Sequence, residues 1–318
     1  MGFLKWRLVC KMSIKIDLIS GFLGSGKTTF IKKYVEFLIK NGEHVGILEN
    51  DYGAVNVDMM LLNDLRGPSC EIEMIAGGCS YDCHQRRFKT KLISMAMSGY
   101  SRIIVEPSGI FDTDEFFDLV YDEPLDNWYE IGSQITVVDS NIEIEDKDTL
   151  YLFASQLANA GAICFSRVGN NKKNELILKV NKALEEIGCK RVIQENEVYL
   201  GHHASFSDLE FEALKKSGFH TYSYEKRMVI MDNDYSSLFL MNKNLEEERL
   251  IYLSNTLFNN KEYGDVLRIK GFFKKNDEWF LMNMTEDSKD IFPISCGQDV
   301  IIIIGKNLNE NKIKELIE

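Results

Sequence analysis

Residues Gly21-Phe22-Leu23-Gly24-Ser25-Gly26-Lys27-Thr28 match the phosphate-binding pattern G-x-x-x-x-G-K-[ST] without a mismatch. Glycines at this spacing let the backbone curl so that successive N–H groups converge on phosphate oxygens at a helix N-terminus. Lys27 is placed to reach the β- and γ-phosphates, Thr28 to ligate Mg²⁺, and Thr29 to lie near the α-phosphate. Gly21, Gly24, Ser25 and Gly26 supply the cradle. The flanks give the context this pattern needs. Before it runs Ile14–Ser20, apolar and β-branched; after it Thr29–Leu38 places apolar residues at helical spacing.

Four further stretches carry chemistry. Glu49-Asn50-Asp51-Tyr52-Gly53, with Asp58 beyond it, sets acidic residues just past an expected strand end, where they suit Mg²⁺ directly or through water. The same residues also suit a solvated turn. Val105-Glu106-Pro107-Ser108-Gly109 ends a hydrophobic strand in a carboxylate, a Walker-B arrangement; Gly109 would let the backbone approach the γ-phosphate and move on hydrolysis. Gly77-Gly78-Cys79-Ser80-Tyr81-Asp82-Cys83-His84 offers two thiols four residues apart beside a carboxylate and an imidazole, a donor set for a transition metal. Two buried cysteines at a helix start, or a redox thiol, account for that spacing as well. At Ala162–Val168, guanine-specific P-loop proteins carry Asn-Lys-x-Asp, whose aspartate accepts hydrogen bonds from guanine. Here Ser166-Arg167-Val168-Gly169 stands in its place.

These segments need a scaffold that brings strand ends together. Expected strands at 14–20, 44–50, 70–76, 101–106, 134–139, 160–165 and 191–193 alternate with helical patterns at 29–38, 85–97, 150–159 and 174–187. That alternation specifies an α/β fold, a mostly parallel P-loop NTPase sheet with helices on both faces and ligands at the carboxyl ends of the strands. Near Gly218 the pattern becomes strand-rich, at 228–231, 265–273, 279–284 and 300–304. Helices are expected within 245–258 and at 309–317. The chain is therefore read as a nucleotide-binding domain over 13–218 and a smaller α+β domain over 219–318. Residues 1–12 are read as an N-terminal extension or a mis-assigned start, with Met12 as the alternative initiator.

The 318 residues are 45% hydrophobic and 27% charged, values of a soluble globular chain. A net charge of −12 argues against nucleic acid or an anionic membrane as the main partner. Seven unevenly spaced cysteines do not form a disulfide framework, which points to a reducing cytosol.

Together the motifs resemble the CobW-type family of P-loop GTPases, relatives of the HypB and UreG nickel-insertion proteins. Gly21–Thr29 is similar to that family's GFLGxGKTT loop, Asn50–Gly53 with Asp58 to its N-[ED]-[FY]-G…D segment, and Glu106–Gly109 to its E-x-[ST]-G. Val137-Val138-Asp139 resembles its V-V-D strand end. In the second domain, Arg268-Ile269-Lys270-Gly271 with Trp279 and Ile304-Gly305 with Leu308 are similar to its R-x-K-G…W and I-G-x-x-L patterns.

The resemblance implies GTP hydrolysis coupled to delivery of a metal such as Zn²⁺ or Co²⁺, or to metallocofactor assembly; the residues themselves read as Mg²⁺-dependent, with slow turnover because no arginine finger lies in these motifs. The partner would be an apo-metalloenzyme docked through the C-terminal domain or across both domains. Lys27, Asp51 and Glu106 would be the catalytic residues, Thr28, Asp58 and Glu106 the Mg²⁺ ligands, and Ser166 and Arg167 part of the base site. The family's G-C-x-C-C is altered: Cys79 matches its first cysteine, Tyr81 and Asp82 replace the other two, and Cys83 follows. The ligand set becomes Cys79 and Cys83 with His84 or Asp82. A non-catalytic nucleotide switch bound to one enzyme, an ATP-using P-loop NTPase and a small-molecule kinase are the competing readings.

Overall fold

The computed structural model describes residues 13–22, 24–51, 61–76, 81–107, 113–144, 146–169, 172–201, 206–226, 235–286, 288–294 and 297–317; at 50–51, 76, 81–84, 115 and 235–237 it describes the backbone alone. The chain divides into two compact units, Met1–Tyr52 with Leu65–Arg227, and Gly53–Asp64 with Met228–Glu318.

In the first unit the elements run β1 (Ile14–Ser20), α1 (Lys27–Lys40), β2 (Val45–Asp51), β3 (Cys70–Ala76), α2 (Tyr81–Ala96), β4 (Arg102–Pro107), α3 (Thr113–Val120), β5 (Tyr129–Asp139), α4 (Lys147–Ala158), β6 (Ala162–Ser166), α5 (Lys173–Glu186), β7 (Val198–Leu200) and α6 (Asp208–Lys215). The strands form one seven-stranded sheet in the order β3-β2-β4-β1-β5-β6-β7, and every pair is parallel. A parallel sheet is covered by its crossover helices, so its strands read as continuous apolar runs. Accordingly, every residue of β1 except Lys15 is buried. Ile16, Leu18, Leu48, Ile103 and Val105 pack with Phe88, Leu92 and Phe116 in one cluster. β1 lies at the centre, with β4 on one side and β5 on the other, so the strand order reverses there. In open α/β sheets ligands bind outside the carboxyl ends of the strands at such a switch point.

Two charged residues inside this core are paired with each other. Asp17 in β1 is fully buried, and Arg102 Nη1 lies 2.6 Å from both its carboxylate oxygens. The Ser133 N–H donates to Asp17 at 2.8 Å and the Tyr34 hydroxyl at 2.9 Å. With these donors the carboxylate is satisfied without water.

Two expectations are corrected here. The segment Arg191-Val192-Ile193 is not a strand; Arg191 and Ile193 are buried there, and Arg191 Nη1 donates to the Leu157 and Ala158 carbonyls at 2.7 and 3.1 Å. The seventh strand is β7, a few residues later. The helix expected from Gln85 starts at Tyr81, so Asp82, Cys83 and His84 lie in its first turn.

The second unit contains β8 (Tyr235–Met241), α7 (Glu247–Asn259), β9 (Asp265–Lys275), β10 (Glu278–Met284), β11 (Lys289–Ile294), β12 (Val300–Lys306) and α8 (Glu310–Ile317). Its antiparallel sheet has the order β11-β10-β9-β12-β8. Period-2 alternation sends Ile269, Phe273, Met282, Ile301 and Ile303 towards Leu250, Leu253, Leu257, Ile313 and Ile317 of the helices. Phe272, Leu281, Val300 and Ile302 point to the opposite face, where Leu61 packs against them. The strand expected at 228–231 lies outside the described residues. Among the described residues no helix is long and apolar enough to cross a membrane.

Candidate nucleotide site

The phosphate loop leaves β1 through Gly21, whose φ is +146°; a Cβ there would lie 2.2 Å from the Val137 carbonyl oxygen. Only glycine lets the chain pass so close to β5. Gly26 caps α1 with φ +98° and ψ +21°, and no side chain caps the helix. The first backbone N–H groups of α1 are thus left without a side-chain cap, as an anion site at a helix N-terminus requires. Lys27 is buried, and its Nζ donates to the Gly21 carbonyl at 3.0 Å and more weakly to Phe22 at 3.4 Å, which holds the ammonium over the loop. Ser25 is buried too, and its Oγ has no hydrogen-bond partner among the described residues. An orphaned hydroxyl inside a curl of N–H groups is a donor suited to a phosphate oxygen. Thr29 is exposed at the loop's rim.

Beside the loop stands a carboxylate. Thr28 Oγ1 donates to Glu106 Oε1 at 3.3 Å, from the first turn of α1 to the end of β4. Glu49 of β2 is the register partner of Glu106, and both are buried. Neighbours in register on parallel strands present their side chains to the same face. Glu49 belongs to a segment singled out in the sequence, but its own role was missed, because only the strand register brings it beside Glu106. Two buried carboxylates next to a threonine hydroxyl form an all-oxygen donor set, the chemistry that suits Mg²⁺.

The turn after β6 is fastened to the same loop. Ser166 Oγ donates to the Ser25 carbonyl at 2.7 Å, and Arg167 forms an ion pair with Asp139 at the end of β5. The structure thus gathers Gly21, Gly24, Ser25, Gly26, Lys27 and Thr28 with Glu106, and sets Ser166 and Arg167 alongside. Asp58, Cys79 and Gly109 lie outside the described residues, as do the side chains of Asp51, Asp82, Cys83 and His84. Cys70, Cys164 and Cys189 are free and buried. Burial pushes the Cys70 thiol up to about 11 and that of Cys164 higher still, so these two stay protonated at neutral pH.

The chain is similar to several known proteins. A protein of Schizosaccharomyces pombe, the zinc-regulated GTPase metalloprotein activator 1, is 22% identical, over 93% of this chain and 83% of its own length. The Escherichia coli zinc chaperone YeiR is 28% identical over 47% of this chain and 45% of its own, and the zinc chaperone YjiA 23% over 53% and 55%. The chain therefore spans about half the length of these two bacterial relatives. The crystal structure of the Zn(II)-bound E. coli YjiA GTPase aligns with 96% of this chain and 98% of its own at 16% identity and a TM-score of 0.38. Residues 15–194, more than half of the sequence, match the CobW/HypB/UreG nucleotide-binding domain, and the chain belongs to that family.

Proposed function

We propose that the protein is a Mg²⁺-dependent nucleoside triphosphatase, with GTP among its substrates, that works in the cytosol as a metal chaperone or metallocofactor-assembly factor for an apo-metalloenzyme. The observation that carries the reading is the strand–loop–helix unit of β1 and α1, with Lys27 held over the loop and Thr28 joined to Glu106. Phosphoryl transfer asks little covalent chemistry of a protein; it asks for positioning and charge stabilisation. Lys27 and the N–H groups of α1 meet the charge that develops on the phosphates. Thr28, Glu106 and Asp58 are the residues that would hold Mg²⁺, with Glu49 adding negative charge beside it, and the ion would supply charge neutralisation at the β- and γ-oxygens. Asp51 or Glu106 orients the attacking water. No arginine lies in the phosphate-binding motifs, so intrinsic turnover is expected to be slow.

The relatives named as zinc chaperones and as a zinc-regulated activator support Zn²⁺ as the cargo, and Co²⁺ is the alternative the resemblance implies. Cys79 and Cys83 with His84 or Asp82 are its proposed ligands, since thiolate and imidazole match the donor preference of zinc. The test is phosphate release from GTP with and without Mg²⁺, in wild type and in Lys27→Ala. We expect Mg²⁺-dependent release in the former, and in the latter a loss of at least about 10²-fold with the melting temperature retained. Wild-type rates in Lys27→Ala would overturn the assignment.

A further inference from the structure

The turn after β6 decides which base the site takes, an inference that rests on the nucleotide-binding reading above. Ser166 is tied to Ser25 of the phosphate loop, so a base attached to phosphates in that loop comes to the residues that follow Ser166. In the Asn-Lys-x-Asp spacing the fourth position, from which a carboxylate reads guanine, is Gly169. Among the described residues of the turn none carries a carboxylate. The neighbouring Asp139 is held by partners of its own: Oδ2 pairs with Arg167 and Oδ1 accepts the Asn141 N–H at 3.0 Å.

Arg167, by contrast, is built into place. Its backbone holds a left-handed φ of +51°. Ser140 secures that conformation, its Oγ donating to the Arg167 carbonyl at 2.7 Å and its N–H to the Ser166 carbonyl at 3.1 Å. Asp139 pairs with the guanidinium, and the Arg167 side chain as a whole stays 32% exposed. A planar cation held this way offers its face to any purine, and stacking does not distinguish the hydrogen-bonding edges of adenine and guanine. We infer that the site binds purine nucleoside triphosphates by stacking the base on Arg167, and that it does not select guanine over adenine.

The test displaces a fluorescent GTP analogue from the full chain, with Mg²⁺ present, using GTP, ATP and inosine triphosphate. The three should compete within about fivefold of one another, since the edge contact that would separate them by about 10²-fold or more is missing. Arg167→Ala should weaken GTP and ATP alike, by roughly tenfold. Gly169→Asp is the complementary variant. A Cβ at Gly169 meets no heavy atom within 4 Å and its φ is not in the left-handed region, so an aspartate enters without strain. It should create a preference for GTP over ATP of at least about tenfold, a gain that misfolding cannot mimic. A wild-type preference for GTP of about 10²-fold would overturn the inference and leave the nucleotide reading standing. An Arg167→Ala variant with unchanged affinities would overturn the stacking. Failure of any triphosphate to bind would overturn both readings together.

Discussion

Thr28 and Glu106, 78 residues apart in the chain, meet at 3.3 Å where α1 starts and β4 ends. A hydroxyl and a carboxylate so placed beside a phosphate loop can share one divalent cation. Glu106→Gln preserves shape and removes the charge. We expect it to bind GTP while hydrolysing it about 10²-fold more slowly, with a raised Mg²⁺ midpoint. Phosphate release across a Mg²⁺ titration checks this, and an unchanged midpoint would place the cation elsewhere.

Gly21→Ala tests the close passage of the loop. The added methyl would sit 2.2 Å from the Val137 carbonyl oxygen, on a backbone at φ +146°. Relief requires the loop to move, at a cost of about 1–3 kcal/mol. Urea denaturation should register that loss, and triphosphate affinity should fall with it.

The Asp17–Arg102 pair is fully enclosed, so removing one partner strands a charge. Arg102→Ala should destabilise the fold by about 3–5 kcal/mol, whereas replacing both residues with apolar side chains of similar volume should recover much of the loss. A double-mutant cycle followed by denaturant unfolding measures the coupling. Additive losses would mean that Asp17 is satisfied by Ser133 and Tyr34 alone.

If Cys79 and Cys83 hold the cargo, the double variant Cys79→Ser, Cys83→Ser should lose Zn²⁺ affinity, and wild-type binding should weaken as pH falls because thiolates must form. Binding should also be tighter in the GTP-analogue form than in the GDP form. By linkage, zinc must then raise triphosphate affinity by the same factor. Zinc titrations in both nucleotide states, read by competition with a chelating dye, check all three. Equal affinity in the double variant would place the metal site elsewhere.

The strand–loop–helix unit was legible because its signals are local: glycine spacing, an apolar strand before it and helical periodicity after it. Cys70–Ala76 was found to the residue for the same reason. Where order comes from partners distant in sequence, local patterns failed. Glu49 reads as a polar residue near a strand end, and only the register with Glu106 makes it part of the site. The apolar Val192 and Ile193 suggested a strand, yet that segment packs through Arg191 and its carbonyl acceptors, while the three-residue β7 is too short to show a period. The edge strand β11, half-exposed and interrupted by Pro293, carries little of the alternation that marks a strand. The start of α2 was obscured because Tyr81-Asp82-Cys83-His84 has no apolar stripe to announce a helix.

The assignment of Gly53–Asp64 to the second unit, where Leu61 rests on Phe272, Leu281, Val300 and Ile302, bears on how this protein can be taken apart. The backbone crosses between the units three times, after Tyr52, after Asp64 and after Arg227. A fragment ending near Arg227 keeps every strand of the parallel sheet but carries Leu61 without the surface it was built to cover. The complementary fragment keeps the antiparallel sheet and uncovers that surface instead. Neither half is a clean excision. The two fragments, 1–227 and 228–318, should therefore associate when co-expressed, where separate expression gives aggregates.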